Sequence, residues 1–233
     1  MGGTIIDLQN VTRVYQQGDV EVRALRGVSL QFESGEFSAL CGPSGSGKTT
    51  LLNLIGALDT PTSGRVILEG HDLSELNRRQ LSHLRRDRIG FVFQAYNLIP
   101  VLTAYENAEL VLSVQGVGNT ERREKVMSLL HAVGLDGKED RLPRELSGGE
   151  QQRVAIARAL ASDPAMILAD EPTANVDSDT AKLLLDLMQA LNEQHAATFI
   201  FSTHDERVIE RAKRIIRMVD GQIDNISFPD GGS

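Results

Sequence analysis

The sequence predicts an α/β protein in which a helical block separates two β-rich parts. Three observations carry that reading. The first 70 residues are dominated by short apolar or alternating runs, "TIIDLQNV", "GVSLQF", "EFSALCG" and "RVILEGH", bounded by Gly, Ser and Asn as strands are. From about 97 to 160 apolar residues recur at helical spacing. After that block, "AMILAD" and "TFIFSTH" are unbroken apolar runs, the pattern of parallel strands buried on both faces.

Taken in order, "FSALC" reads as a strand that passes through glycines into "KTTLLNLIGAL", an amphipathic helix. Arg78, Arg79, Arg85, Arg86 and Arg88 cluster around a short helical pattern, either as a solvated face or as a contact for an acidic partner or lipid head groups. "FVFQAYN" ends a strand-like run. "TAYE" pairs Thr103 with Glu106 as a capping box and opens a helix through about Val114. A second helix, Thr120 to Val133, sets Val126, Leu129, Leu130 and Val133 on one face. Thr180 to Glu193 is a further helix, and "IIRMVDGQIDNIS" is a hairpin turning at Asp220-Gly221. "FPDGGS" reads as a frayed tail. With no internal repeat and no long linker, the chain is expected to be one domain over residues 1–233, with a helical subdomain at about 97–160 inserted in its core.

Composition narrows the function classes. A net charge of −8 argues against a general nucleic-acid binder, which would carry an excess of Lys and Arg. The longest apolar runs are far too short to span a bilayer, and the N-terminus shows neither a secretory signal nor a full myristoylation motif, since Ile6 stands where Ser or Thr is needed. The single Cys41 excludes an internal disulfide and fits a reducing cytosol.

The chemistry concentrates in a few stretches. Gly42-Pro43-Ser44-Gly45-Ser46-Gly47-Lys48-Thr49, followed by Thr50, matches the phosphate-loop pattern and lies between a strand and a helix, as that loop must. Its glycines let backbone N–H groups wrap phosphates, Lys48 is placed for the β- and γ-phosphates, and the Thr49 hydroxyl for Mg²⁺. Asp170 and Glu171 end the run "MILAD" and point different ways, so Asp170 suits Mg²⁺, directly or through water, and Glu171 suits a water attacking the γ-phosphate. His204 and Gln94 end two further strand-like runs at the same sheet edge; Gln94 could reach the metal or the water. Tyr15 either stacks on an adenine or fills a surface groove. A second anion-seeking segment, "LSGGEQQR" at 146–153, puts Ser147, Gly148 and Gly149 at a helix start about a hundred residues after the first; Ser147 also reads as an ordinary N-cap.

The ordered set "GPSGSGKT", "FQ", "LSGGEQQR", "MILADE", Asp177 and "STH" resembles the nucleotide-binding domain of ABC transporters, over nearly the whole chain. "GALDTPTSG" and "GFVFQAYNLIPVLTAYEN" are most similar to the lipoprotein-releasing and macrolide-exporting subgroup. That subgroup usually follows Glu-Pro-Thr with Gly-Asn-Leu-Asp; here the residues are Ala174-Asn175-Val176-Asp177, with the aspartate kept. The resemblance implies a P-loop NTPase fold with a β-rich ATP-binding core, ATP and Mg²⁺ as ligands, and hydrolysis with Glu171, His204 and Gln94 at the reacting end. It implies two cassettes stacked head to tail, with Ser147, Gly148 and Gly149 of one copy completing the site of the other and Asp177 linking the two. It also implies a peripheral place on the cytoplasmic face of the membrane, bound to a separately encoded permease for export or lipoprotein release. A solute importer and a cell-division-type complex that transmits force without moving a substrate are the alternatives.

Overall fold

The computed structural model describes residues 3–18 and 20–229. In chain order the elements are β1 (Thr4–Gln17), β2 (Val20–Glu33), β3 (Phe37–Cys41), α1 (Lys48–Ile55), β4 (Ser63–Leu68), β5 (His71–Asp72), α2 (Arg78–Arg88), β6 (Ile89–Phe93), α3 (Ala104–Gln115), α4 (Asn119–Ala132), α5 (Gly148–Leu160), β7 (Met166–Asp170), α6 (Ser178–His195), β8 (Thr198–Ser202), α7 (Glu206–Ile209), β9 (Arg214–Val219) and β10 (Gln222–Ser227).

Two sheets form. An antiparallel sheet has the order β2-β1-β4-β5, and a six-stranded sheet the order β10-β9-β3-β8-β7-β6, parallel except for the β9–β10 hairpin. Helix α1 is buried between them. Its Leu51, Leu52, Leu54 and Ile55 pack with Leu40, Leu168, Ile200 and Met218 of one sheet and with Ile6, Leu8, Phe32 and Val66 of the other. The opposite face of the six-stranded sheet, through Phe37, Ala39, Ile167, Ala169, Phe199 and Phe201, joins one apolar cluster with residues of α3, α4, α5 and α6. The helices between β6 and β7 therefore share their core with the sheet, and burying both sheet faces is what the unbroken apolar runs of β7 and β8 require.

Three helices, α3, α4 and α6, end within two residues of where the sequence placed them. Thr103 caps α3 through the Glu106 N–H, and the Glu106 carboxylate accepts from the Thr103 N–H in return. Val126, Leu130 and Val133 are buried, with Leu129 packed beside them. Asp220 and Gly221 both have positive φ, as a tight hairpin turn demands. Two readings change. The first runs are longer than their apolar cores suggest: β1 and β2 form a hairpin of 14-residue strands, with bulges between Leu8 and Val11 and between Arg13 and Val14. The added ends, which include the exposed Val20 and Val22, bury little, so strand pairing rather than a core extends them. The arginine cluster is only partly free charge, because Arg86 pairs with Asp87, Arg88 with Glu69, and Arg85 donates to the Ala57 carbonyl, while Arg78 and Arg79 make no ion pair among the described residues. The end of the predicted tail, 230–233, and the first two residues of the lipidation-like motif lie outside the described residues.

Candidate nucleotide-binding site

The C-terminal edge of the parallel strands positions the site. Strand β3 delivers the loop 42–47, β6 delivers Gln94, β7 ends at Asp170 with Glu171 next, and His204 follows β8 by two residues. Tyr15, Val22, Arg23, Ala24, the whole stretch Gly42–Thr50, Gln94, Glu171, Ser202 and His204 line one groove of about 740 Å³.

The loop is bent by its glycines. Gly42, Gly45 and Gly47 have φ of 145°, 79° and 97°, a region that costs other residues dearly. A methyl group on Gly42 would also sit 2.1 Å from the Met218 carbonyl oxygen, and one on Gly47 2.6 Å from that of Ala24. The Lys48 ammonium is folded back onto the Gly42 and Pro43 carbonyls at 2.8 and 3.1 Å. Ser46 Oγ is buried without a partner inside this cradle. Thr49 Oγ1 lies 3.4 Å from Asp170 Oδ1. A hydroxyl beside a carboxylate at the mouth of an anion cradle suits a hard cation that takes its remaining ligands from phosphate and water. The loop thus fits Mg·ATP on its own chemistry.

Glu171 sits just outside β7 with a left-handed φ of 46°. Its Oε1 shares a 2.6 Å hydrogen bond with His204 Nδ1, and its Oε2 accepts from Thr203 Oγ1 at 3.0 Å. Asp205, next along, accepts from Thr173 and is gripped by the Arg207 guanidinium, which together with those hydrogen bonds holds its carboxyl down at about 2. The turn after Glu171 is also fixed from below, where buried Gln152 of α5 donates to the Pro172 carbonyl at 2.7 Å. At the far end Tyr15 is braced by the Arg13 guanidinium, 4.6 Å from its ring centroid, and donates to Asp59 at 2.8 Å; Arg13 forks onto the same carboxylate.

Not every candidate residue meets at this groove. Asp170 is not part of the lining and meets the groove through Thr49, and Ser147, Gly148, Gly149 and Asp177 stand outside it. Ser147 caps α5 in a reciprocal box with Glu150, whose carboxyl is lowered to about 2 by the Lys138 ammonium first and by the Ser147 contacts. Asp177 caps α6, accepting from the N–H groups of Asp179 and Thr180 and from the Thr180 hydroxyl; these hydrogen bonds lower its pKa. Neither Gly148 nor Gly149 needs a positive φ. They are required for space: a methyl on Gly148 would lie 2.7 Å from Tyr96 Oη, and one on Gly149 2.3 Å from Thr180 Cγ2. Ala174 is exposed with an ordinary φ, so it fits where the related subgroup has glycine.

Sequence reasoning missed several residues. Arg13 and Asp59 are invisible as a pair because 46 residues separate them. Asn107, fully buried near the start of α3, holds the Ile99 N–H and the carbonyls of Ile99, Leu102 and Thr103; an Asn amid apolar helix positions was its only signal. Asn175 gave none beyond its place in the segment before Asp177.

A glycine-bent anion cradle, a helix-start hydroxyl beside a strand-end carboxylate and a second carboxylate held by a histidine define a P-loop nucleoside-triphosphatase. Residues 25–174 match the ABC transporter family, more than half of the chain, and the chain belongs to that family. It is an ABC ATPase cassette. It is 51% identical over 221 residues to the macrolide export ATP-binding/permease protein MacB of Hyphomonas neptunium, covering 94% of this chain but 34% of that protein. It is 47% identical over 222 residues to an uncharacterized ABC transporter ATP-binding protein of Thermotoga maritima, covering 95% of this chain and 94% of that one. The chain thus spans about a third of the length of its macrolide-export relatives. The dimeric ADP- and Pi-bound cassette MJ0796, a protein of Methanocaldococcus jannaschii, superposes with a TM-score of 0.91 at 44% identity, covering 97% of this chain and all of that one.

Proposed function

We propose that this chain is the ATP-hydrolysing motor of a membrane complex, and that it works as a head-to-tail pair in which each ATP is shared between copies. One observation carries the reading: the phosphate loop, Gln94, Glu171 and His204 gather around one groove, while the chain's second anion-facing helix start, Ser147–Gly149, stands outside it. A second copy would supply that helix start to complete the groove, as the dimeric state of the MJ0796 cassette supports.

In this reading the N–H groups of 42–50 and Lys48 hold the phosphates, and Tyr15, braced from behind by Arg13, stacks on the base. Thr49, Asp170 and Gln94 would hold Mg²⁺, which would neutralise phosphate charge. Glu171 takes a proton from water as its oxygen bonds to the γ-phosphorus, and the bond to the β-phosphate oxygen breaks to leave ADP. His204 and Thr203 hold the Glu171 carboxylate in place for this. Asp177 stands at the partner-facing side and relates one site to the other.

The motor acts on a permease carried by a different chain, on the cytoplasmic face of the membrane, for export or lipoprotein release. Among the described residues no helix is long and apolar enough to cross a membrane, so the membrane-spanning part of the complex lies outside them. The Thermotoga and Methanocaldococcus relatives are matched over 94% and 95% of their own length, whereas MacB proteins carry permease in the same chain by name. The docking segment is 98–102: Leu98 packs into the core, whereas Val101 is 77% exposed. Val101→Asp should therefore abolish co-purification of a permease from detergent-solubilised membranes while leaving ATP binding unchanged. Retention of the permease by this variant would move the docking surface elsewhere.

A further inference from the structure

Tyr96 and Asn97 are consecutive residues in the left-handed region, with φ of 58° and 50°. L-residues avoid this region, and two in a row persist only where the surroundings over-determine them. Arg158, near the end of α5, supplies that constraint. Its Nη1 donates to the Asn97 carbonyl at 2.6 Å and its Nη2 to the Tyr96 carbonyl at 2.9 Å. No carboxylate pairs with it among the described residues. Burial pulls its pKa down. A half-buried cation is normally paired with a charge, so using both arms of this one on two adjacent backbone carbonyls points to the geometry of those carbonyls as what is being held.

The same loop is gripped from its other side. Asn175 Nδ2 donates to the Gln94 carbonyl at 2.8 Å, and Tyr96 Oη donates to the Asn175 carbonyl at 3.0 Å. Gly148 lies directly against Tyr96 Oη. Three segments the proposed mechanism uses at different places, around Gln94, Gly148 and Asp177, thus converge on Tyr96 within one chain.

We propose that Arg158 is a positioning residue for hydrolysis: its forked guanidinium latches residues 96–97 in the left-handed turn and so fixes Gln94 at the groove and Gly148 and Asn175 against Tyr96. The inference rests on the proposed role of Gln94 at the γ-phosphate end. The planar fork matters, because two adjacent carbonyls need two parallel donors and an ammonium offers a point charge instead.

The test measures kcat, the KM for ATP and the folded fraction for Arg158→Lys and Arg158→Gln, each alone and combined with Asn97→Gly, against Asn97→Gly alone. Arg158→Lys should lower kcat at least about tenfold, the scale of a misplaced reacting group, and change KM less than about threefold, because Tyr15 and the phosphate loop bind the nucleotide. Glycine adopts positive φ without strain, so Asn97→Gly should restore a substantial part of the lost kcat. Unchanged kcat in both arginine variants would overturn the proposal, and so would a loss that Asn97→Gly does not recover. If Arg158→Gln fails to fold, Arg158→Lys with and without Asn97→Gly decides the matter. Gln94→Ala separates the two claims: full activity there removes the role of Gln94 itself, whatever the Arg158 variants do.

Discussion

Two segments of this chain set glycines at the start of a helix, and they use them in opposite ways. In the loop 42–47 the glycines bend: Gly42, Gly45 and Gly47 all have positive φ, Gly45 has nothing within 4 Å of its missing side chain, and the loop encloses an unpartnered Ser46 hydroxyl. In 147–149 neither glycine bends. The helix start is already capped by Ser147 and Glu150, and the glycines make room for Tyr96 and Thr180. The first segment is shaped around something to be bound. The second is a finished surface, close-packed behind and available in front, which suits the lid of a site on another molecule. Glycine content alone does not distinguish a cradle from a lid; backbone angle and neighbour distance do.

The largest expected effect tests whether chemistry resides with the cradle. Glu171→Gln keeps the shape but removes the proton acceptor, so turnover should fall at least about 100-fold with ATP still bound. Size-exclusion chromatography with ATP should then show an accumulated dimer. Near-wild-type hydrolysis would move the base elsewhere.

Next in size is a complementation between cradle and lid. Lys48→Ala and Ser147→Arg should each inactivate a homodimer. In mixed dimers both lesions fall on one shared site and the other site is intact, so activity should peak near equal mixing at no more than about a quarter of wild type. If heterodimers form and activity stays at zero, the lid serves its own chain.

The glycines themselves sharpen the contrast. Gly149→Ala should destabilise the fold by about 1–3 kcal/mol through overpacking against Thr180, whose hydroxyl is held by Asp177, without changing ATP binding by the single, unpaired chain. Gly45→Ala should cost about 1–2 kcal/mol through its positive φ, and should weaken ATP binding as well. Thermal unfolding and nucleotide titration of both variants separate the two effects.

The smallest effect is a pH dependence in the lid. Glu150 is lowered from the ordinary 4.5 to about 2, so it stabilises the folded state above about pH 4.5 and that contribution is lost as pH falls toward 2. Acid unfolding followed by circular dichroism should lose part of its slope in that window in Glu150→Gln. An unchanged slope would show that the Lys138–Glu150 contact contributes nothing net.

The sequence by itself determined what depends on near neighbours along the chain. The phosphate loop, its strand and helix, the Thr103–Glu106 cap and the Asp220-Gly221 turn are set by φ preference and by hydrogen bonds spanning three or four residues, so a short window contains the whole cause. Apolar runs likewise announced β7 and β8, because strands buried on both faces admit little else. Tertiary structure decided what depends on which distant backbone comes to lie opposite. Arg158 reads as one more helical arginine until Tyr96 and Asn97, about 60 residues away, turn their carbonyls toward it. Tyr15 gave no sign of what holds it until Asp59 and Arg13 came to lie against its ring at the groove. That Gly148 and Gly149 also make room for Tyr96 and Thr180 shows only in the folded chain. Close packing between segments far apart in sequence leaves no periodicity to read, since the distance that selects a residue there exists only in the folded chain.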